Sequence, residues 1–317
     1  MNQNIIMPTL IAFAISAALG PIMIPVLRRM KAGQTVREEG PQSHRKKTGT
    51  PTMGGIIILI AITVTTLLYI RVCPGILPIL FLTLGFAMVG FVDDYIKVVL
   101  KRSMGLRPWQ KMSMQFVITS IFAFYLIRCG ISLEMKIPFF PDRSLDLGIW
   151  NVPFLFFVVL GTVNGTNFTD GLDGLATSVT ILVATFFTVV AVGTGSVITP
   201  ITCATVGALM GFLLFNVHPA SVFMGDTGSL ALGGFVVGCA YMLHMPLYIM
   251  IVGFVYLAEV LSVIIQVCYF RVTGGKRIFK MAPIHHHFEL CGWRETKVVA
   301  VFAILTAILC LLGLLAV

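Results

Sequence analysis

The sequence predicts an all-α integral membrane protein with about ten transmembrane helices, both termini outside and the functional site on the cytoplasmic face. Of the 317 residues, 57% are hydrophobic and only 11% are charged, and apolar runs recur along the whole chain. A membrane-spanning helix needs about 20 mainly apolar residues, and the bilayer core excludes lipid-exposed irregular backbone. The runs also lack the alternation of barrel strands. We therefore expect one polytopic domain, residues 1–317, embedded in the lipid bilayer.

Ten apolar runs mark the expected helices, and the fifth and eighth are short for a span. Their approximate limits are 5–27, 53–70, 76–92, 112–129, 152–163, 174–192, 198–215, 229–243, 247–270 and 298–317. Arg28 and Arg29 follow the first run and no basic residue precedes it. We therefore expect that run to be a retained anchor rather than a cleaved signal peptide.

The positions of the 22 Lys and Arg residues predict the orientation. Most of them fall in the junctions after the first, third and ninth runs, whereas the opposite side carries only Arg71, Arg128, Lys136 and Arg143. Because short cytoplasmic loops are enriched in Lys and Arg, those three junctions are predicted to be cytoplasmic. The net charge of +9 then reflects topology, and we expect no nucleic-acid partner. The seven cysteines form no CxxC pair, so no disulfide framework or zinc ribbon is predicted.

A carboxylate pair ends the third run, in FAMVGFVDDYIKVVLKR. The run is just long enough to bring Asp93 and Asp94 to the edge of the hydrocarbon, where a charge costs less than at the midplane. Lys97 and Lys101 follow at intervals of four, so one helical face is expected to carry a carboxylate and two ammonium groups. Taken alone, the segment is better explained as an ordinary helix end with i,i+4 pairs.

Polar residues separate the fifth and sixth runs, in TVNGTNFTDGLDGLA. Four amide or acid side chains fall within ten residues, at Asn164, Asn167, Asp170 and Asp173. A helix N-cap needs one such residue, so a functional role is the better explanation. If Asp170 and Asp173 share a helical turn, their i,i+3 spacing places both on one face. The nearby glycines would allow close approach of backbone or ligand.

A third acidic segment, FNVHPASVFMGDTGS, precedes the eighth run. Asp226 or Ser229 could simply cap that helix, and taken alone this explanation is as good as a functional role. The occurrence of three such segments favours a functional role over simple helix capping. Each places an Asp at a membrane-level helix end beside Gly or Asn, the arrangement in which oxygen ligands for Mg²⁺ and anion-binding backbone are found.

Two further segments carry donors for phosphate. Residues 285–287 are three consecutive histidines, which cannot share one helix face and form a poor tetrahedral zinc set; HExxH is absent. We favour phosphate donors or an acid–base group over a metal site there. The segment KKTGTPTMGG, residues 46–55, is equally compatible with a plain helix start and with contacts to a nucleotide diphosphate.

Five motifs occur in order over nearly the whole chain: KTGTPTMGG, GFVDDYIK, NGTNFTDGLDGLA, FNVHPASVFMGDTGS and PIHHHFE. With their loop positions, they resemble the polyprenyl-phosphate N-acetylhexosamine-1-phosphate transferases, and within that superfamily the phospho-N-acetylmuramoyl-pentapeptide transferases. The resemblance implies a multi-pass enzyme of the bacterial inner membrane. It would transfer phospho-MurNAc-pentapeptide from UDP-MurNAc-pentapeptide to undecaprenyl phosphate, with Mg²⁺ as cofactor, forming lipid I and UMP in peptidoglycan biosynthesis. The chain is short for this family, so nothing assigned to external loops is carried over.

The same resemblance implies roles for individual residues. Asp226 would be the main Mg²⁺ ligand, and Asp93, supported by Asp94, would deprotonate or orient the lipid phosphate; whether Asp93 is a base or a nucleophile stays open. Of the three histidines, His285 is foremost and is counted as catalytic. The residues implied around the uracil and ribose are Asn167, Leu172, Asp173, Asn216 and Phe223. Those implied at the diphosphate, the sugar or the loop itself are Lys47, Thr52, Lys97, Lys111, Asn164, Asp170, His286 and His287.

Two alternatives are carried forward. A sister enzyme using UDP-GlcNAc would share the Asp segments, although PIHHHFE and the long segment after the ninth run favour the muramoyl-pentapeptide enzyme. A transporter would place ionisable residues near the midplane, where only Glu259 is expected. That residue is explained either by a hydrogen bond to a neighbouring helix or by a kink or substrate groove. A homodimer is compatible with the sequence, which does not fix the oligomeric state.

Overall fold

The computed structural model describes residues 3–30, 49–102 and 104–317. Its α-helices are α1 (Gln3–Arg29), α2 (Gly55–Tyr69), α3 (Leu77–Val98), α4 (Pro108–Arg128), α5 (Asn151–Thr169), α6 (Leu175–Gly193), α7 (Thr199–Asn216), α8 (Gly225–Met242), α9 (Ile249–Val252), α10 (Phe254–Val272), α11 (Ile284–Leu290) and α12 (Glu295–Leu315). Each of the ten predicted apolar runs overlaps one long helix of this set.

Seven segments of the described chain are long and apolar enough to cross a membrane. They are Ile5–Arg29, Pro74–Val98, Gly148–Thr169, Leu175–Gly193, Thr199–Asn216, Phe254–Val272 and Glu295–Leu315. The prediction of a helical, multi-pass membrane protein is therefore confirmed. Helix α2 is apolar but has only 15 residues, and α4 and α8 are outside the set. The count of ten spans stays a prediction.

Helix α8 is the most buried helix of the bundle and packs against α3 and α5. Glycines allow its backbone to approach α3 closely: a Cβ atom on Gly90 would lie 2.0 Å from the carbonyl oxygen of Asp226, and one on Gly234 would lie 2.7 Å from that of Leu82. The two helices run antiparallel, since the C-terminal part of α3 meets the N-terminus of α8. This packing brings the carboxylate pair of α3 to the first turn of α8.

The boundaries of α5 and α8 differ from those predicted. Helix α5 continues to Thr169, six residues beyond the apolar run, because the hydroxyls of Thr166 and Thr169 donate to carbonyls one turn earlier and thereby satisfy polar groups inside the helix. Helix α8 begins at Gly225, four residues before the predicted start, so Asp226 lies in its first turn rather than in a loop.

The turn between α5 and α6 also differs from the prediction. Asp170 and Asp173 lie in this turn, which ends at Gly174 with a φ of +77°, a left-handed conformation that favours glycine. Because the two carboxylates are not in one helical turn, they do not share a face. They point instead to different partners, described below.

The ninth predicted run is not one continuous helix. It begins with a 3₁₀ turn, Pro246–Tyr248, continues as α9 and changes direction at Gly253, after which α10 begins. Gly253 has a ψ of 18°, outside the usual α-helical range. The break places the start of α10 close to α5, where a Cβ atom on Gly165 would lie 2.7 Å from the carbonyl oxygen of Tyr256.

A short two-stranded antiparallel hairpin, which the sequence did not predict, accompanies the helices. Strands β1 (Met135–Ile137) and β2 (Phe140–Leu145) pair in the register Met135↔Leu145. The backbone of the hairpin bonds to the carbonyls of His244 and Ala316, just beyond the C-terminal ends of α8 and α12. The hairpin therefore lies at the opposite end of α8 from Asp226.

Candidate functional site

Three carboxylates converge where α3 meets α8. Asp93, Asp94 and Asp226 each contribute an oxygen atom, and these atoms lie within 4.8 Å of one another. Asp93 and Asp94 are only 2% and 3% exposed, whereas the Asp226 side chain is 19% exposed. Asp226 is therefore the member of this carboxylate cluster that a ligand reaches most directly.

Two lysines offset part of the negative charge. The Nζ atom of Lys97 lies 2.5 Å from Oδ2 of Asp93 and 3.0 Å from Oδ2 of Asp226. The Nζ atom of Lys111, from the start of α4, lies 2.9 Å from the same Asp226 oxygen. Three carboxylates face two ammonium groups, so the ionised cluster keeps an excess of negative charge. The pair between Asp93 and Lys97 has the predicted i,i+4 spacing, but Lys101 follows the end of α3 with a φ of +52° and does not continue that face.

Asp94 holds the N-terminus of α8 in place. Its carboxylate accepts hydrogen bonds from the backbone N–H groups of Asp226, at 3.3 Å, and Thr227, at 2.9 Å. The hydroxyl of Thr227 donates a third bond at 2.6 Å. These N–H groups have no partner within the helix, so Asp94 supplies what a capping residue normally supplies. Its contacts are those of a residue that positions Asp226.

Asn167 joins the carboxylate cluster from α5. Its Nδ2 atom donates to Oδ1 of Asp226 at 2.9 Å and to Oγ of Ser229 at 2.8 Å, and its Oδ1 atom accepts from Lys111 at 3.3 Å. The resemblance implied a place near the base and ribose, whereas the geometry places Asn167 against the acidic cluster. Sequence reasoning considered Ser229 only as a cap and did not include Thr227; the pattern DTGS at a helix start was the available signal.

The segment before α2 lies beside the same cluster. Residues 51–55 and 223–224 pair through backbone bonds from Gly54 and Gly55 and from Phe223. Thr52 is buried, and a Cβ atom on Gly225 would lie 2.8 Å from its hydroxyl. Two of the predicted motifs are thus joined by backbone contacts next to the carboxylates. Lys47, another predicted phosphate contact, lies outside the described residues.

Asp170 lies on the other side of the cluster. It is half-buried, in the turn after α5, and its carboxylate accepts a bond from the backbone of Gly225. Burial, together with the nearby charges of Asp226 and Asp94, raises its pKa well above the usual range. Asp170 is therefore electrostatically part of the cluster, as its place in the NFTDG motif suggested.

A second acidic group lies where the turn after α5 meets the loop between α7 and α8. Oδ2 of Asp173 accepts from the backbone of Ala220 at 3.0 Å and lies 3.1 Å from Nδ1 of His218. Glu295, at the start of α12, accepts from the backbone N–H of Asp173 at 2.7 Å. Asp173, His218 and Glu295 each contribute a potential ligand atom, and these atoms lie within 4.8 Å of one another. Sequence reasoning did not identify Glu295 or His218, which are joined to Asp173 only by the fold.

The other residues predicted around the nucleoside lie in the same region. Asn216 accepts from the Thr177 hydroxyl at 2.7 Å and donates to the carbonyl of Val222 at 3.0 Å. Leu172 is buried and Phe223 is half-buried. Phe223 is three residues before Asp226 in the sequence. The hydrogen bonds described above for Asn216 and for the Asp173 carboxylate go to residues outside the carboxylate cluster.

Asn164 lies one helical turn further into α5 than Asn167. Its Nδ2 atom donates to Gln115 of α4 at 2.9 Å and to the carbonyl of Leu160 at 2.8 Å. The hydrogen bond between the Asn164 and Gln115 amides joins α5 to α4, the helix that also carries Lys111. A role of Asn164 at the diphosphate or in holding the loop stays a prediction.

The three histidines lie on the short helix α11 and point in different directions, as expected for consecutive positions. His285 is buried and faces α10, while Nδ1 of His286 lies 2.8 Å from Glu289. Nδ1 of His287 accepts from the backbone of Lys280 at 3.1 Å. His285 reaches the turn that carries Asp170, where a Cβ atom on Gly171 would meet its ring.

The chain matches two family models. Residues 76–244 match the model described as glycosyl transferase family 4, and residues 47–59 match signature 1 of phospho-N-acetylmuramoyl-pentapeptide-transferase. Curated relatives carrying the name phospho-N-acetylmuramoyl-pentapeptide-transferase include one from Acetivibrio thermocellus, which is 52% identical over 96% of this chain and 92% of its own length. Others are from Clostridium novyi, 50% identical over 96% and 94%, and from Clostridioides difficile, 48% identical over 97% and 96%.

Proposed function

This chain belongs to the phospho-N-acetylmuramoyl-pentapeptide-transferase family, and we propose that it transfers phospho-MurNAc-pentapeptide from UDP-MurNAc-pentapeptide to undecaprenyl phosphate. The products are lipid I and UMP, and the reaction belongs to peptidoglycan biosynthesis. The observation that carries the proposal is the convergence of Asp93, Asp226, Lys97 and Lys111 at one end of the bundle. A phosphoryl transfer between two anions needs such a mixture of charges.

The reaction joins a lipid phosphate oxygen to the sugar-linked phosphorus of the donor and breaks the bond from that phosphorus to the oxygen of UMP. Asp93 orients the lipid phosphate or takes its proton. The ammonium groups of Lys97 and Lys111 lie where they offset the charge of the two approaching anions. Asp94 keeps Asp226 in place through the first turn of α8.

The donor set of the carboxylate cluster fits Mg²⁺. It consists of carboxylate oxygens, which this hard cation prefers, and it keeps an excess of negative charge beside two lysines. We assign Asp226 as the main ligand because it is the most exposed of the three carboxylates. When bound there, Mg²⁺ supplies neutralisation of the diphosphate and of the leaving UMP. Asp93 would offer a second oxygen donor, whereas the carboxylate of Asp94 already accepts three hydrogen bonds from the first turn of α8.

The UDP part of the donor is assigned to the neighbouring segments. Asp173, Leu172, Asn216 and Phe223 bind the uracil and ribose together with Asn167, whose amide also donates to Asp226. The diphosphate and sugar contact the other predicted residues: Lys47, Thr52, Lys97, Lys111, Asp170, His285, His286 and His287. This assignment follows the family resemblance of the motifs and, for Lys97 and Lys111, their contacts with Asp226.

The orientation also belongs to this proposal. We place the carboxylate cluster on the cytoplasmic face and both termini outside, with ten spans, because Lys and Arg concentrate in the junctions after the first, third and ninth runs and Asp93 stands where the third run ends. The hairpin of β1 and β2, at the other end of α8, then faces outward.

The proposal is tested by UMP release from the purified protein in detergent. Release is expected from UDP-MurNAc-pentapeptide only when undecaprenyl phosphate and Mg²⁺ are both present, because each anion needs its counter-charge in the site. Removing Mg²⁺ with a chelator should stop the reaction, and adding it back should restore the rate. Turnover of UDP-GlcNAc instead would assign the chain to the sister activity, and no release from either donor by folded protein would contradict a transferase.

A further inference from the structure

A buried carboxylate and imidazole form a pair between α10 and α11. Oε1 of Glu259 lies 3.1 Å from Nδ1 of His285, and the two side chains are 0% and 1% exposed. Glu259 lies inside the apolar segment Phe254–Val272, where an ionisable side chain is costly and normally has a specific function. Its hydrogen bond to a neighbouring element was one of the explanations offered by the sequence, but the partner could not be named.

The pair leaves two polar atoms without protein partners. Within the part of the chain that the structure describes, neither Oε2 of Glu259 nor Nε2 of His285 has a hydrogen-bond partner, and both atoms are buried. Leaving a buried polar atom unsatisfied is costly, because the hydrogen bonds that it makes to water in the unfolded chain are not replaced. A pair kept at that cost indicates that the outer nitrogen of the imidazole has a partner during function.

The outer nitrogen of His285 faces the turn after α5. A Cβ atom on Gly171 would lie 2.2 Å from Nε2 and 2.6 Å from Cε1 of the ring, so only glycine allows this approach. Gly171 directly follows Asp170, whose carboxylate bonds to Gly225 and is influenced by the charge of Asp226. A continuous set of contacts thus leads from Glu259 through His285 to the edge of the carboxylate cluster.

We propose that Glu259 is a positioning residue for His285, an inference that rests on the proposed transferase function. The carboxylate accepts the hydrogen on Nδ1, which fixes the ring orientation and leaves Nε2 as the nitrogen that meets the donor's sugar diphosphate. In the neutral ring Nε2 then accepts a hydrogen bond, and in the protonated ring it donates one.

The test replaces Glu259 by leucine and by glutamine. Glu259→Leu removes the acceptor and introduces an apolar side chain of similar size, so the helix is expected to fold. We expect kcat to fall about 10–100-fold with a small change in KM for the nucleotide, as when a carboxylate partner of a functional histidine is removed. Glu259→Gln keeps an acceptor oxygen and should retain more activity. Ser262→Ala, one turn further along α10, is the matched control and should stay close to the wild type.

Two readouts separate positioning from a general structural effect. In a background of His285→Gln, Glu259→Leu should cause little further loss, since Glu259 acts through the imidazole. The ¹⁵N shifts of the labelled ring, assigned by their absence in His285→Gln, should report hydrogen on Nδ1 in the wild type and a change of this state in Glu259→Leu. The inference would be overturned if the fold-losses in kcat of the two single variants multiplied in the double variant. Unchanged ring shifts in Glu259→Leu would overturn it as well. An inactive wild type would refute the proposed function instead, and the ring shifts would still test the pair.

Discussion

Asp226→Asn is expected to lower the rate of transfer about 10²–10³-fold, the effect of removing one preorganised electrostatic group from a reacting centre. Both oxygens of this carboxylate have charged or polar partners: Oδ2 meets Lys97 and Lys111, and Oδ1 accepts from Asn167. An amide in its place loses the negative charge and turns an NH₂ group toward one of these donors. Initial rates of UMP release at saturating substrates measure the effect.

The matched control for that variant is Asp142→Asn. Asp142 is an exposed carboxylate of strand β2, at the far end of the molecule, and its replacement should leave the rate within about twofold of the wild type. An Asp226→Asn protein that is folded and keeps more than about a tenth of the wild-type rate would contradict the role given to this residue.

Asp94→Asn is expected to weaken both the fold and the activity. The carboxylate accepts three hydrogen bonds from Asp226 and Thr227, and an amide can accept only through its one oxygen. The unsatisfied donors at the start of α8 should cost about 1–3 kcal/mol in the free energy of unfolding. Because Asp226 lies in the same helical turn, the transfer rate should fall as well. Thermal unfolding in detergent and UMP release, measured on the same preparation, test both effects.

Thr227→Ala provides a graded comparison for Asp94→Asn. It removes one of the three donors and leaves the two backbone bonds, so its loss of stability should be smaller. If Asp94→Asn unfolded at the wild-type temperature yet was inactive, Asp94 would take part directly in the reaction rather than hold α8.

The sequence predicts the helices well because their signal is local. Each apolar run overlaps a long helix, although the ninth is interrupted at Gly253, and the Asp93 and Lys97 pair follows from spacing on one helix. Boundaries are predicted less well where polar side chains are satisfied within the bundle. Asn167 looks like a residue that ends a span, but in the fold it lies inside α5 and contacts Asp226.

Contacts between distant segments are the part that local pattern could not supply. The partner of Glu259 is His285, 26 residues along the chain, and the backbone of Asp173 bonds to Glu295, 122 residues away. The hairpin was also missed, because its exposed strand β2 lacks the apolar alternation that identifies a half-buried strand. The family resemblance identified which residues matter but not how they divide between the two acidic groups.

That division gives the most direct test of the central claim, that the cluster of Asp93, Asp94 and Asp226 holds the metal. The other acidic group offers two carboxylates and the imidazole of His218 instead of three carboxylates, which makes it the poorer site for a cation that prefers oxygen ligands. The measurement is Mn²⁺ binding to the purified protein by electron paramagnetic resonance, with Mn²⁺ as the probe for Mg²⁺. We expect tight Mn²⁺ binding that is lost in Asp226→Asn and kept in Glu295→Gln; loss in Glu295→Gln with retention in Asp226→Asn would contradict it.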